Sequence, residues 1–156
     1  QPANNKGYIS KVEEIENDGS IYKDKNVEVI AFKNDHGDFE NSFGFLFITK
    51  DKRILFSGDT GVSDNLMNYG ENLDILVHEV YSSETFKNKT DDWQIYHNAH
   101  HTSSIDLGII ANKLKPKKLV LSHILFWGAT EESLLDDVKS NFDGNAIIAK
   151  DLMVIR

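Results

Sequence analysis

Through its first sixty positions the chain alternates apolar and polar residues with the period of a pleated strand. Val27 to Phe32 (Val-Glu-Val-Ile-Ala-Phe) is β-branched and alternating, and Phe43 to Thr49 (Phe-Gly-Phe-Leu-Phe-Ile-Thr) reads as a buried strand. Lys50-Asp51-Lys52 predicts a turn into a further strand over Arg53 to Phe56. Upstream, Tyr8 to Ile15 alternates loosely. Asn17-Asp18-Gly19 is a turn signal, so Ser20 to Lys23 is expected to return as its partner strand. The second half changes rhythm. Leu73 to Val77 is a short apolar strand. Ser103 to Leu114 spaces its apolar residues as a buried helix face, with Pro116 just past its end. Lys118 to Leu121 predicts a strand leading into Ser122-His123. Glu131 to Phe142 predicts a helix with Thr130 as N-cap and acidic residues in the first turn. Ala146 to Ile148 and Met153 to Ile155 are expected to close as short strands. Strands first, then strands alternating with helices, imply one layered α/β sandwich.

Composition narrows the functions open to such a unit. The chain has 156 residues and a net charge of −8, with no cysteine. Disulfides, thiolate metal sites and a cysteine nucleophile are excluded, so any metal must be held by histidines and carboxylates. The densest basic stretch, Lys113 to Lys118, reads as a solvated helix end and not as a phosphate track. No apolar run is long enough for a membrane-spanning helix, and Gln1 to Lys6 shows no signal-peptide pattern. The chain lacks an initial Met, which suggests a processed or truncated product. The compartment stays open between cytoplasm and periplasm.

Polar residues with chemical potential cluster after the apolar strands. Val27 to Phe32 leads to Asp35-His36-Gly37, and Arg53 to Phe56 leads to Ser57-Gly58-Asp59-Thr60-Gly61. Leu73 to Val77 leads to His78-Glu79, and Lys118 to Leu121 leads to Ser122-His123. Strand ends on one sheet edge are rigid platforms for a ligand site. Each piece also has a structural reading: a hydrogen-bonded turn histidine, an Asp59 or Thr60 that caps a helix near Ser63, a polar loop at His97, His100 and His101. Four strand ends finishing alike weaken those readings.

The whole pattern resembles the ribonuclease Z-like branch of the metallo-β-lactamase superfamily. Asp35-His36-Gly37, Phe43-Gly44-Phe45, Ser57-Gly58-Asp59-Thr60, His78-Glu79, His101-Thr102-Ser103 and Ser122-His123 agree with it in order and spacing over roughly residues 27 to 125, and Lys150 to Val154 is similar to its ending. The resemblance implies a four-layer αββα sandwich of which this chain is the C-terminal half. It implies that His36 is the last histidine ligand of one metal, that Asp59 bridges two metals, and that His123 is a ligand of the second. It also implies that Glu79 orients His101, which protonates the leaving group. Neutral imidazoles with a carboxylate suit two divalent ions, zinc first, with manganese or iron as alternatives. His78 should point away from Glu79 by strand alternation, in a structural role. His97 and His100 match no ligand position; contact with substrate is open to them. Trp93, Tyr96, Phe126 and Trp127 either wall a pocket near His101 and His123 or, more in keeping with single aromatics, pack in the core.

Two departures shape the functional expectation. The branch carries a His-x-His-x-Asp-His segment well before the position of His36, and residues 1 to 35 contain no histidine. Residues 1–156 are therefore expected to be the C-terminal portion of a single domain, partnered by the N-terminal half of the same protein and inactive alone. The missing half would leave an apolar sheet face bare, which a homodimer could also cover. The tight Thr49 to Arg53 connection, the apolar stretch after His123 and the acidic charge argue against nucleic acid as partner. The expected activity is metal-dependent hydrolysis of a phosphoester, ester or related bond in a small-molecule substrate. The alternatives are a ribonuclease Z-type RNA-processing endonuclease and a non-catalytic binding module or inactive fragment.

Overall fold

The structure, a computed structural model, describes residues 12–155. Seven strands form one sheet in sequence order: β1 (Gly19–Lys23), β2 (Val27–Lys33), β3 (Phe43–Thr49), β4 (Arg53–Phe56), β5 (Ile75–Tyr81), β6 (Lys118–Leu125) and β7 (Ala146–Ile148). β1 to β4 form an antiparallel meander, and every later neighbour is parallel. The switch falls where helices begin, because parallel neighbours need a crossover connection. α1 (Asp64–Tyr69) crosses from β4 to β5. α2 (Ser83–Phe86), α3 (Asp91–His100) and α4 (Ser104–Leu114) lie between β5 and β6, and α5 (Glu131–Lys139) lies between β6 and β7.

Local chemistry sets these boundaries. Thr49 Oγ1 accepts the Lys52 amide at 3.0 Å in the β3–β4 turn. Ser103 caps α4 by accepting the Asp106 amide at 3.0 Å, and Thr130 caps α5 through the Ser133 amide at 3.1 Å. α4 ends on Lys115 in the left-handed conformation, directly before Pro116. Ser63, and not Asp59 or Thr60, caps α1.

The register sorts side chains onto two faces. Ile30, Leu46, Leu55, Leu76 and Leu119 lie in one cross-strand row. They pack with Leu66 of α1, Leu107, Ile110 and Ala111 of α4, and Leu134 and Val138 of α5 in the core. Phe45, Phe56, Val77 and Val120 form a row on the other face, beside Phe47 and Ile54. Phe56 there is 42% exposed. α1, α4 and α5 thus serve one core, and the opposite face keeps aromatic surface in solvent.

Several expectations change. Tyr8 to Lys11 lies outside the described residues, and residues 12–15 form no strand; β1 pairs with β2 instead. Residues 153–155 are not a strand, so β7 is the edge. β5 does not stop at Val77 nor β6 at Leu121: both run on, so His78, Glu79, Ser122 and His123 lie within strands. Parallel pairing of Glu79 with Ser122 and Val80 with Ile124 extends the ladder past the apolar run. His97 and His100, for which a polar loop is one reading of the sequence, lie on the helix α3. Among the described residues no helix is long and apolar enough to cross a membrane.

α4 and α5 meet at Gly108, where an added Cβ would sit 2.5 Å from the Val138 carbonyl oxygen. Gly108→Ala should therefore lower stability by about 1–3 kcal/mol, opposite in sign to the ~1 kcal/mol gain of such a change in an exposed helix. Urea unfolding measures it, and a gain would show that the helices do not approach so closely.

Candidate metal centre

Glycine-dependent turns bring the polar segments together. After β2, Gly37 adopts φ +54, and its amide donates to the Ala99 carbonyl at 2.9 Å. A Cβ there would fall 2.1 Å from His100 Nε2, so only glycine lets this loop lie against the end of α3. After β4, Gly58 at φ +63 approaches the Phe43 carbonyl and turns the chain to present Asp59. The two loops are tied to each other: Gly61 donates to the Asp35 carbonyl at 2.7 Å, and the Asn34 side-chain amide donates to the Ser57 carbonyl.

Glu79 closes the arrangement from inside the sheet. It is 2% exposed. Its Oε1 accepts the Thr102 amide at 2.7 Å and the Thr60 amide at 3.4 Å, joining the loop after β4 to the loop after α3. Thr102 Oγ1 donates to the Thr60 carbonyl at 2.8 Å and locks the same junction. Glu79 Oε2 then faces His101 Nδ1 at 3.4 Å, within ion-pair range but not aligned as a hydrogen bond.

His36, Asp59 and His101 converge, each placing one ligand atom within 4.8 Å of the others. His123 joins from β6. It is the bulged residue opposite the Glu79–Val80 step, at φ +43, and its Nε2 lies 3.3 Å from Asp59 Oδ2. All five residues singled out in the sequence thus meet at one sheet edge. His78 points to the helix-covered face, fully buried, with Nδ1 2.7 Å from the Glu79 carbonyl. This agrees with a structural role. His97 and His100 are buried on α3, not in a polar loop; the Thr90-Asp91-Asp92 sequence, a helix start with acidic first turn, is the signal that would have found that helix. Trp93 and Tyr96 are 56% and 50% exposed, so core packing does not hold for them.

The two central histidines are pushed in opposite directions. Burial holds His36 below its ordinary pKa, reinforced by His100 and His101 nearby. The Glu79 carboxylate raises His101, against the opposing effect of burial. A neutral imidazole with a free nitrogen, beside a carboxylate and a second imidazole, is a donor set suited to a borderline divalent cation.

No family model matches the chain. Its sequence is 34% identical to ribonuclease Z of Bacillus velezensis over 142 residues, covering 88% of this chain and 43% of that protein. Its fold superposes on YhfI, a metallo-β-lactamase fold protein of Bacillus subtilis, with a TM-score of 0.69 at 20% identity, covering 85% of this chain and half (50%) of that one. The short form of human tRNase Z superposes with a TM-score of 0.62 at 22% identity, over 90% of this chain and 47% of that one. The fold is thus that of about half of a metallo-β-lactamase-fold protein. In sequence the chain is similar to ribonuclease Z, and it spans less than half the length of that Bacillus relative.

If Glu79 is what raises the His101 pKa, Glu79→Gln should lower it, since burial is then opposed by Asp59 alone. A pKa raised on folding contributes stability that is complete below about pH 6.5 and fades as pH rises through the folded value. The variant should lose that pH dependence. Imidazole NMR titration and urea unfolding on chelator-treated protein measure both, and an unmoved His101 would assign its shift elsewhere.

Proposed function

We propose that the chain is the C-terminal portion of one metallo-β-lactamase-fold domain and that, with the N-terminal portion, it forms a metal-dependent hydrolase of small phosphoesters, esters or related bonds. The observation that carries this reading is the convergence of His36, Asp59 and His101, with His123 on Asp59 and a buried glutamate behind His101. In this reading His36, Asp59 and His123 are ligands to two divalent ions, zinc first, with manganese or iron as alternatives. The ions would supply Lewis-acid polarisation of the scissile bond and an acidified water. His101 gives a proton to the departing oxygen, and Glu79 keeps the imidazole charged and oriented. Three ligands shared over two ions fall short of a closed site, which is why the reading places the remaining ligands on an N-terminal half. The apolar face of Phe45, Phe47, Ile54 and Phe56 offers that half a surface to cover; a homodimer is the other candidate.

A second reading, an RNA-processing endonuclease, is favoured by the 34% identity to a ribonuclease Z. The net charge of −8 and the Thr49–Arg53 hairpin turn, which leaves no room for an inserted RNA-gripping arm, weigh against nucleic acid as substrate.

In the full-length protein, Asp59→Ala should remove most bound metal, measured by plasma mass spectrometry per chain. It should also lower hydrolysis of bis(4-nitrophenyl) phosphate by about 100-fold or more. Retained metal and rate would remove Asp59 from the site. Cleavage of a precursor transfer RNA in preference to the small diester would favour the second reading.

A further inference from the structure

α3 presents a second feature beside the metal centre. Trp93 stacks on His97, with ring centroids 4.9 Å apart and planes at 23°. His97 meets Trp127 edge-on at 4.7 Å and lies 5.6 Å from the His101 ring. One ring layer therefore separates the two tryptophans from the histidine of the site. Between Trp93 and Trp127, with Asn88, Lys89 and Thr90 as the lip, lies an open cleft of about 420 Å³. Lys89 Nζ stands 4.6 Å over the Trp127 ring. A second hollow of about 380 Å³ is lined by Asp92, Trp93 and Tyr96.

Three properties mark the cleft as built for a ligand. Trp93 and Tyr96 keep half or more of their surface in water, an arrangement that forgoes burial worth about 1.5–3 kcal/mol per large apolar side chain. Trp127 holds φ +47, a left-handed conformation costing a bulky residue about 1–2 kcal/mol, and Gly128 beside it at φ +98 completes the turn that sets the indole there. His97 is 6% exposed, and neither ring nitrogen has a hydrogen-bond partner. Burial, reinforced by His101, Lys89 and His100 nearby, holds its pKa below the ordinary value, and its ring stands as an aromatic plate between the tryptophans and His101.

We propose that the Trp93–Trp127 cleft is the subsite for an aromatic leaving group, and hence that the substrate is an anionic aryl ester, foremost an aryl phosphoester. The proposal rests on the hydrolase reading. The aryl ring stacks on the indoles, Lys89 draws the negative charge of the substrate toward the lip, and the ester linkage reaches past His97 to His101. On hydrolysis the bond from phosphorus to the aryl oxygen breaks, its electron pair staying on that oxygen, which takes a proton from His101. The water oxygen bonds to phosphorus, and one of its protons restores the imidazolium through solvent.

The test is the pair of indole N–H signals of Trp93 and Trp127 in ¹⁵N-labelled, metal-stripped full-length protein, assigned through the W93F and W127F variants. Phenyl phosphate should shift both, and cyclohexyl phosphate, of equal charge but without a π system, should shift neither. Trp93→Leu, at an exposed position, should weaken phenyl phosphate binding roughly tenfold or more, and Lys89→Met should weaken it without unfolding the protein. Equal shifts from both phosphates, or none from either, would overturn the subsite while leaving the hydrolase reading intact. Tighter binding of a dinucleotide than of phenyl phosphate would overturn it in favour of a nucleobase. Phenyl phosphate shifts in a protein that, reloaded with metal, hydrolyses no ester would overturn the hydrolase reading and the leaving-group role with it.

Discussion

The buried carboxylate of Glu79 is the constraint on which the site depends. A charge at 2% exposure needs partners. Glu79 has the amides of Thr60 and Thr102 on Oε1 and the His101 imidazole at ion-pair distance from Oε2. The partners come from two parts of the chain: Thr60 from the turn after β4, and the adjacent His101 and Thr102 from the end of α3. Satisfying one carboxylate therefore fixes both segments against β5. Asp59 precedes Thr60 and His101 precedes Thr102, so the same bonds place the two functional side chains. The position works because β5 is central in the sheet and rigid, flanked by parallel partners on both sides.

The mixed topology explains why the polar groups gather at one edge. In the meander, chain direction alternates, so β2 and β4 both deliver their C-terminal ends, His36 and Asp59, to the same side. From β4 onward the strands are parallel, and β5 and β6 add Glu79 and His123 to that side again. α1, α4 and α5 pack on one face of the sheet and bury Leu46, Leu55, Leu76 and Leu119. They leave the Phe45 and Phe56 row for another layer, as a sandwich of two sheets requires.

Much of this was legible because apolar periodicity and turn chemistry are local. Phe43 to Thr49, Arg53 to Phe56, the Ser103 and Thr130 caps and the opposed faces of His78 and Glu79 follow from neighbours in sequence. The five residues of the site were legible only as a pattern across distant segments. What escaped was decided by tertiary pairing. Ser20 to Lys23 has a plausible hairpin partner upstream, yet it adds to β2, whose alternating edge offers the better ladder. The strands β5 and β6 outrun their apolar cores because mutual hydrogen bonding continues through His78-Glu79 and Ser122-His123, and the bulge that aims His123 has no signature in a Ser-His dipeptide. α3 was hidden by its composition: its buried residues are histidines and its exposed ones are tryptophan and tyrosine, the reverse of an ordinary amphipathic stripe.

That inversion bears on how the two histidines nearest Asp59 divide their work. Geometry alone does not separate them, since His36 and His101 both stand within ligand distance of Asp59. Their surroundings do. His36 has aromatic and imidazole neighbours and no buried carboxylate in contact, and it is held neutral. His101 has Glu79 against Nδ1, and that carboxylate pushes its pKa up. An imidazole must be neutral to ligate a cation and protonated to act as an acid. Groups of the same type driven apart in pKa within one site are the usual mark of divided acid–base roles. The electrostatics are those the proposed hydrolase requires, with His36 as ligand and His101 as acid, and the aromatic wall of α3 stands on the His101 side.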